Sequence, residues 1–353
     1  MCRLLSVARA GAMIMLTAAM TAGAQKGVVV KEDAAAHRVD VTIDGTPFTS
    51  YLWQTNQRKP VLYPLIAPDG TTVSRGYPYA MRPGERVDHP HHAGLWFNYG
   101  NANGFDFWNN SDAIPEAQRP KYGTITQDRI VSMASGKYLG ELTVESTWTT
   151  GAGDKILLQT TTYSFVRSNV GGVPARFVDM KVTLQALVPV TFHDDKEGLL
   201  GLRVAHFLES PTEKGGVFMD ANGKPTQVAA GDTAGATGVY HTSEGKTGDA
   251  VWSTRGTWCT LTGTTADGKA ETIAIFDHTG NPGYPAYWHA RGYGLFAVNP
   301  LGAHIFDPKA AAMNFSIAKG ESATFRYRVA VLSGTVEDAA MNKAASAFDA
   351  VKR

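Results

Sequence analysis

Alternating apolar and polar residues recur along most of this 353-residue chain, and this alternation strongly constrains how it can fold. Segments with a period of two, rich in Val, Ile, Thr and aromatic residues, cover 37–43, 140–149, 155–167, 176–187, 271–277 and 323–332. Turn dipeptides such as Asp44-Gly45 and Asp267-Gly268 separate them. This pattern is typical of antiparallel sheet. The chain is therefore predicted to be all-β, a large antiparallel β-sandwich.

Only the end of the chain has a helical pattern. Over 336–351 the apolar residues recur at helical spacing, so one side of this helix should pack on a sheet. Two stretches interrupt the strand pattern: 82–119 is rich in His, Trp, Asn and Pro, and 210–247 is rich in Gly, Ala and Thr. Both are predicted to be long loops, where functional residues usually lie. Residues 25–353 are predicted to form a single β-sandwich domain.

The first 24 residues have the features of an export signal. Arg3 and Arg9 precede an uncharged apolar run, and Ala22-Gly23-Ala24 fits a small-x-small cleavage site. The run is about half the ~20 residues that a membrane span needs. We expect a signal peptide over 1–24, cleavage near Ala24/Gln25, and a periplasmic or secreted protein with no stable membrane insertion. The alternative is an uncleaved helix that anchors the protein.

The chain carries almost no net charge. Lys and Arg number 33 against 32 Asp and Glu, and removal of 1–24 would leave 31 basic against 32 acidic residues. A general nucleic-acid binder needs a basic surface, and the sequence contains no basic cluster that would form one. Nucleic acid is therefore not an expected partner.

Three histidines fall within four positions in the run Asp88-His89-Pro90-His91-His92-Ala93-Gly94-Leu95-Trp96-Phe97. Histidine titrates near neutral pH and can act as a general acid, a general base or a metal ligand. If the segment is extended, His89 and His91 point to one side and His92 to the other. The alternative is that the histidines only anchor a loop through hydrogen bonds.

The residues that follow mix aromatic rings with amides and carboxylates. Such a mixture suits a sugar site, because rings stack on the apolar face of a pyranose while polar groups bond its hydroxyls. Trp96 and Trp108 are the stacking candidates, and Asn103 and Asp106 are the hydrogen-bonding ones. Core packing explains other aromatic residues of this run equally well.

A second segment, 192–206, combines histidine with charged residues around an apolar strand. Glu197, Arg203 and His206 are its site candidates. In a regular strand Arg203 and His206 would face opposite sides, so a bend is needed to bring them together. For the acidic residues of this segment, a solvated turn is the alternative interpretation.

A third segment, 276–294, has the Gly and Pro content of a loop. Asp277 is either part of an acid/base pair or a turn cap. Trp288, His289 and Arg291 come where the loop returns to a strand. No spacing in the chain matches a zinc motif, a nucleophile elbow or a phosphate loop. No cofactor is therefore required, although a divalent metal is possible.

The run 88–97, together with Asn103-Gly104-Phe105-Asp106-Phe107-Trp108, resembles the exported bacterial family that is labelled "methane oxygenase PmoA". Residues 198–204 and 299–302 are similar to later blocks of that family. The resemblance implies a supersandwich of the galactose-mutarotase type and proteins that accompany sugar-degrading enzymes. It does not imply methane oxidation, because that enzyme is a membrane complex.

A mutarotase-like scaffold implies acid–base chemistry on a sugar held by a concave sheet. On this basis His91 and His206 are predicted to transfer protons, with Glu197 or Asp277 tuning one of them. Substrate contacts are predicted for His89, His92, Trp96, Asn103, Asp106, Trp108, Arg203, Trp288, His289 and Arg291. Simple mutarotation is not expected, since the chain lacks a clear Asn-x-x-x-Asn-His segment.

The expected function is that of an exported carbohydrate-active enzyme, a lyase, epimerase or hydrolase, acting on a glycoside or modified sugar. A noncatalytic carbohydrate-binding or scaffold protein is the alternative from another class. A metal-dependent redox protein is a third.

Overall fold

Strands make up most of the computed structural model, which describes residues 26–54, 58–211, 215–229 and 234–351. The predicted signal peptide therefore lies outside the described residues. In chain order the strands are β1 (Val28–Asp33), β2 (Arg38–Ile43), β3 (Thr46–Leu52), β4 (Val61–Leu62), β5 (Leu95–Tyr99), β6 (Thr124–Ala134), β7 (Leu139–Thr149), β8 (Lys155–Val170), β9 (Val173–Ala186), β10 (Val190–Phe192), β11 (Gly198–Arg203), β12 (Gly216–Met219), β13 (Pro225–Val228), β14 (Val239–Thr242), β15 (Trp258–Thr264), β16 (Ala270–Asp277), β17 (Tyr287–Arg291), β18 (Leu295–Asn299), β19 (Phe315–Ile317) and β20 (Ser322–Ser333).

Two eight-stranded sheets pack face to face. Sheet I has the order β1-β2-β3-β4-β5-β11-β18-β17, and sheet II has the order β14-β15-β16-β20-β9-β8-β7-β6. The paired strands are antiparallel, as in β5 with β11 and β8 with β9. One apolar cluster joins the sheets, with Tyr51 and Phe97 from sheet I and Phe165 and Val329 from sheet II. The predicted all-β antiparallel sandwich is confirmed.

The C-terminal helix is also confirmed. A short helix, α1 (Ala303–Phe306), precedes it, and the predicted one is α2 (Asp338–Asp349). Met341 and Phe348 are buried in a second apolar cluster with Trp258 and Phe276, on the side of sheet II away from sheet I. Burial of one helical stripe therefore fixes this segment, as its spacing indicated.

The two predicted loops contain strands, so both predictions are wrong in part. Strand β5 lies within 82–119 and occupies the middle of sheet I, and β12, β13 and β14 lie within 210–247. All five residues of β5 are buried. A strand covered on both faces lacks the alternation by which strands are recognised in sequence. As a result, the histidine run leads directly into a central strand.

One row of side chains crosses the outer face of sheet I. Trp96 on β5 pairs with Gly201 on β11, which pairs with Ala297 on β18, which pairs with His289 on β17. Directly paired residues share a face of a sheet. Phe97, next to Trp96, packs between the sheets, so this row faces the other way. The small residues at its centre give Trp96 room to lie across the neighbouring strand.

Gly201→Ala should destabilise the protein by about 1 to 3 kcal/mol through overpacking. A Cβ at Gly201 would lie 2.5 Å from the ring of Trp96 and 2.8 Å from that of Trp108. Urea denaturation would measure the change. Gly280→Ala is the matched control, because a Cβ there meets only the His278 ring, at 3.2 Å. Equal free energies of unfolding for the two variants would contradict this packing argument.

Candidate active site

The histidine run forms a tight turn over the outer face of sheet I. The backbone N–H of His92 donates to the carbonyl of His89 at 2.9 Å. His89 has a φ of 44°, a left-handed conformation that is unfavourable for a residue with a Cβ. The buried guanidinium of Arg75 donates to the carbonyls of both His89 (3.1 Å) and His92 (2.9 Å). These bonds hold the strained turn in place, and strain of this kind is concentrated at functional sites.

Two buried arginines hold one carboxylate beside the turn. Arg75 and Arg203 donate to the same oxygen of Asp88, at 2.6 and 2.7 Å, and their side chains are 1% and 0% exposed. Burial opposes ionisation of Asp88, but His89 and the two guanidiniums outweigh it and hold the pKa of Asp88 well below its usual range. Burial, followed by repulsion from Arg203, lowers the pKa of Arg75 to about 9. Arg203 is thus committed to Asp88 rather than to a substrate, which corrects its predicted role.

Asp88 in turn orients His89. Its second oxygen lies 3.2 Å from Nδ1 of His89, whose side chain is 41% exposed. A carboxylate at Nδ1 favours the tautomer with the proton on Nδ1, which leaves Nε2 as the nitrogen available to a ligand. The His89 ring also stacks on Tyr293, with centroids 5.2 Å apart. His89 is therefore held like the histidine of an acid–base pair.

His92 is buried and contacts two donors. Trp108 donates its indole N–H to Nε2 at 3.3 Å, and a guanidinium nitrogen of Arg203 lies 3.3 Å from Nδ1. Burial, followed by the charges of His91 and Arg203, keeps the pKa of His92 well below its usual range. The neutral ring packs between His89 and Trp96. His92 is thus part of the packed support of the turn, and its predicted contact with substrate is corrected.

Lys59 lies under the turn, and the sequence interpretation missed it. Its ammonium donates to the carbonyl of His91 at 2.7 Å and lies 5.2 Å from the ring centroid of Trp96. Only 3% of the residue is exposed. Burial lowers the pKa of Lys59 to about 7, although the Asp106 carboxylate opposes the shift. A lysine with such a pKa can exchange a proton at neutral pH.

His91 and Lys59 line one cavity of about 240 Å³, here called the turn cavity. Its other walls include Tyr77, Asn110 and Ser111. Burial, followed by the charge of Lys59, lowers the pKa of His91 to about 2. His91 therefore stays a neutral hydrogen-bonding group across the physiological range.

The three predicted tryptophans offer no stacking surface. Trp96 is 1% exposed, and Trp108 and Trp288 are 0% exposed. Trp96 and Trp108 pack edge to face against each other over sheet I, whereas Trp288 points into the core between the sheets. Core packing, not sugar stacking, explains all three, and their predicted contact with substrate is corrected.

Asn103 and Asp106 differ in their hydrogen bonds and surroundings. Asn103 donates from Nδ2 to the carbonyl of Pro189 and accepts at Oδ1 from the backbone N–H of Thr191, so it fastens its loop to β10. Asp106 accepts two hydrogen bonds from Asn109, at 2.9 and 2.8 Å, and burial raises its pKa. Its electrostatic effect on Lys59 places Asp106 near the turn cavity. The substrate contacts predicted for Asn103 and Asp106 stay predictions.

Glu197, His289 and Arg291 form a neighbouring group on the same sheet. An oxygen of Glu197 lies 3.9 Å from Nδ1 of His289, which also approaches the carbonyl of Lys196 at 2.9 Å. Burial raises the pKa of Glu197, and burial with the charge of Lys196 lowers that of His289 to about 3. Arg291 lies over the Trp252 ring at 4.9 Å. The roles predicted for these three residues stay predictions.

His206 does not join His91, which corrects the predicted proton-transferring pair. Its Nδ1 lies 3.2 Å from Glu209 and its Nε2 lies 3.1 Å from the carbonyl of Ala234, so both nitrogens are engaged. Glu209 also accepts from Arg86 at 2.8 Å. Burial opposes the charge of His206, but the bond to Glu209 raises its pKa. The bend that the sequence argument required leads to an ion-pair cluster outside the turn cavity.

Asp277 is a turn cap, the second of the two alternatives. Its oxygens accept from Asn281 at 2.7 Å and from the backbone N–H of Ala286 at 2.8 Å. Burial raises its pKa to about 7. It ends β16 in sheet II, whereas the histidine turn lies over sheet I, so it cannot tune His91 or His206 as predicted.

Within the described ranges, no three His, Cys, Asp or Glu side chains come together as metal ligands. In the same part of the chain, no helix is long and apolar enough to cross a membrane.

Fold and site together define a class: a two-sheet antiparallel β-sandwich with a strained histidine turn and a buried lysine over one outer face. The chain belongs to a family of unknown function, DUF6807, whose model matches residues 38–346. That family's description names no activity and gives no support to the methane oxygenase label.

Several solved structures are similar to the chain. A galactose mutarotase-like protein from Clostridium acetobutylicum has 11% identity and a TM-score of 0.38, over 86% of this chain and 98% of that one. A galactose mutarotase-like protein from Lactobacillus casei has 11% identity and a TM-score of 0.33, over 86% and 100% of the two chains. A galactose mutarotase related enzyme from Lactobacillus acidophilus has 9% identity and a TM-score of 0.28, over 88% and 99%. No curated protein matches the sequence.

Proposed function

We propose that this protein is a carbohydrate-active enzyme that moves a proton on a small sugar or glycoside bound in the turn cavity. The observation that carries the proposal is the position of Lys59, a buried lysine that lines a cavity and donates to the carbonyl of His91, where burial lowers its pKa to about 7. General acid–base catalysis is most efficient when the pKa of the catalytic group is near the working pH. Lys59 meets this condition better than His91 does, so the proton-transferring role passes from His91 to Lys59.

The lining of the turn cavity supports a polyhydroxylated ligand. Asn110 donates to the carbonyl of Gly123 at 2.7 Å, and among the described residues its buried Oδ1 has no donor. Burying such an acceptor unpaired is costly, so a small shift of this side chain toward a sugar hydroxyl would be favourable. A cavity of about 240 Å³ lies below the range for drug-sized ligands, which suits a single sugar ring.

The other polar groups then have distinct roles. The neutral imidazole of His91 exchanges hydrogen bonds with ligand hydroxyls. His89, which is held by Asp88 and whose ring centroid lies 5.6 Å from that of His91, supplies the complementary acid or base. A lyase, epimerase or hydrolase reaction needs such a pair. A noncatalytic carbohydrate-binding protein is the alternative, and the buried Trp96, Trp108 and Trp288 give it no stacking surface. The periplasmic or secreted location rests on residues 1–24 and stays a prediction.

A screen of monosaccharides, uronic acids and glycosides, followed by NMR and mass spectrometry, tests this function. We expect conversion of at least one sugar, at a rate that rises between pH 6 and 8. The reason is that Lys59 accepts a proton only as the free amine, which forms as the pH passes its pKa of about 7. A rate that falls across this interval would contradict the role of Lys59. Absence of conversion across the panel would contradict the enzyme proposal.

A further inference from the structure

A second cavity, of about 370 Å³, adjoins the turn cavity. Trp53 and His37 form one side of it, and residues 124–127 at the start of β6 form another. We call it the Trp53 cavity. Arg58 and Lys59 line both cavities, so the two meet at these residues.

We propose that the substrate is a glycoside of at least two rings, one in each cavity, with the second ring against Trp53. This inference rests on the proposed function and adds the class of substrate to it. The linkage between the rings would then lie over Arg58 and beside Lys59, within reach of the proton-exchanging amine.

Hydrogen bonds fix Arg58 and Lys59, the two residues at which the cavities meet. The carbonyl of Arg58 accepts from the backbone N–H of Ile125 at 2.8 Å, which ties it to sheet II. Its guanidinium donates to Asp112 at 2.6 Å, and its side chain is 28% exposed. On the other side, the Lys59 ammonium is bonded to the histidine turn. The two cavities therefore have a fixed spacing, as a rigid two-ring ligand requires.

Unpaired polar atoms occur on both sides of these two residues. In the part of the chain that the structure describes, Oε1 of Gln127 and Nε of Arg58 are buried without a partner, as is Oδ1 of Asn110. Gln127 lines the Trp53 cavity, Asn110 lines the turn cavity, and Arg58 lines both. Buried polar groups are normally bonded. A ligand with hydroxyl groups along its whole length would meet polar side chains in both cavities, whereas a single ring in the turn cavity would not reach Gln127.

Trp53 supplies the aromatic surface that the buried tryptophans do not. It is only partly buried and stacks on His37, with centroids 6.2 Å apart and planes 13° apart. The backbone N–H of Trp53 donates to the carbonyl of His37, whose φ of 50° turns the chain back on itself. A ring fixed in this way binds a sugar face at little entropic cost.

Calorimetry with matched pairs of sugars tests the inference. The probes are glucose with cellobiose and maltose, galactose with lactose, and glucuronic acid with a glucuronate disaccharide. For the wild type we expect at least one disaccharide to bind about tenfold more tightly than its monosaccharide. Trp53→Ala should remove this gain and leave the affinity for the monosaccharide unchanged. Tyr138→Ala, an aromatic that is 53% exposed and lines neither cavity, should alter neither value.

Gln127→Ala is a second variant, for the case that loss of the Trp53 ring impairs folding, and it should reduce the same gain by severalfold. Equal affinities for one and two rings, or equal weakening of both by Trp53→Ala, would overturn the inference. If a monosaccharide is still converted and depends on Lys59, only the two-ring inference fails. If no sugar is bound or converted at all, the proposed function fails with it.

Discussion

Lys59→Met should lower the turnover of a sugar substrate by about 10²- to 10⁴-fold, the usual contribution of a general acid or base. Methionine keeps most of the length of the side chain and its apolar character but cannot exchange a proton. Progress curves at pH 8, followed by NMR, would measure the loss. A loss confined to KM would instead indicate that Lys59 only binds the substrate.

Lys59→Arg separates proton exchange from charge. Arginine keeps the positive charge near Asp106 and can donate to the carbonyl of His91, but its usual pKa is so high that it stays protonated at the pH of the assay. If Lys59 exchanges a proton, the Lys59→Arg variant should be as inactive as the Lys59→Met variant. If Lys59 serves only as an ammonium that fixes the turn, Arg restores much of the activity, and the proposed role is wrong.

Stability measurements give a readout for Lys59 that needs no substrate. Its pKa of about 7 in the folded protein lies below the usual value of 10.5, so between these values the unfolded chain binds more protons. Stability therefore rises as the pH increases through this window. From pH 7 to 9 the gain from this residue is about 2 kcal/mol.

Urea denaturation at the two pH values would reveal this gain. We expect it in the wild type and in Lys155→Met, an exposed control, but not in Lys59→Met. If the gain in stability is as large in Lys59→Met as in the wild type, burial does not lower the pKa of the Lys59 amine.

The sequence predicted the sandwich well because most strands have one face toward the other sheet and one toward solvent. Strand β7 illustrates this, since its partly exposed and buried residues alternate from Leu139 to Ser146. Strand β5 has no such alternation, because the histidine turn and Trp108 cover its outer face. Burial by distant segments is a tertiary effect, and local periodicity does not contain it.

The candidate site was predictable only in part. His89 and His91 lie in the histidine run that the sequence singled out, and the turn places them together. Lys59 belongs to no motif, and a lysine is normally exposed, so its burial depends on the fold bringing β4 beside β5. Proximity in sequence also misled the interpretation of His206. The chain turns away after Arg203, so the His206 ring lies beside Glu209 instead of the turn cavity.

Asp88→Ala should destabilise the protein by about 3 to 5 kcal/mol, the effect expected when one partner of a buried ion pair is removed. Arg75 and Arg203 both depend on one oxygen of Asp88, and neither side chain reaches solvent. Without the carboxylate, two buried guanidiniums would repel each other and hold an uncompensated charge. His89 would also lose the group that orients it, so turnover should fall together with stability.

Two further variants separate this mechanism from a general loss of packing. Asp112→Ala breaks the ion pair between Arg58 and Asp112, whose side chains are 28% and 53% exposed. This change should lower the free energy of unfolding by less than about 1 kcal/mol. Arg203→Met added to Asp88→Ala should restore part of the lost stability, because it removes the repulsion between the guanidiniums. Urea denaturation at pH 7 would measure all three. If Asp88→Ala costs no more than Asp112→Ala, the carboxylate does not balance the buried charge of the two arginines, and the strained turn must be held by backbone contacts alone.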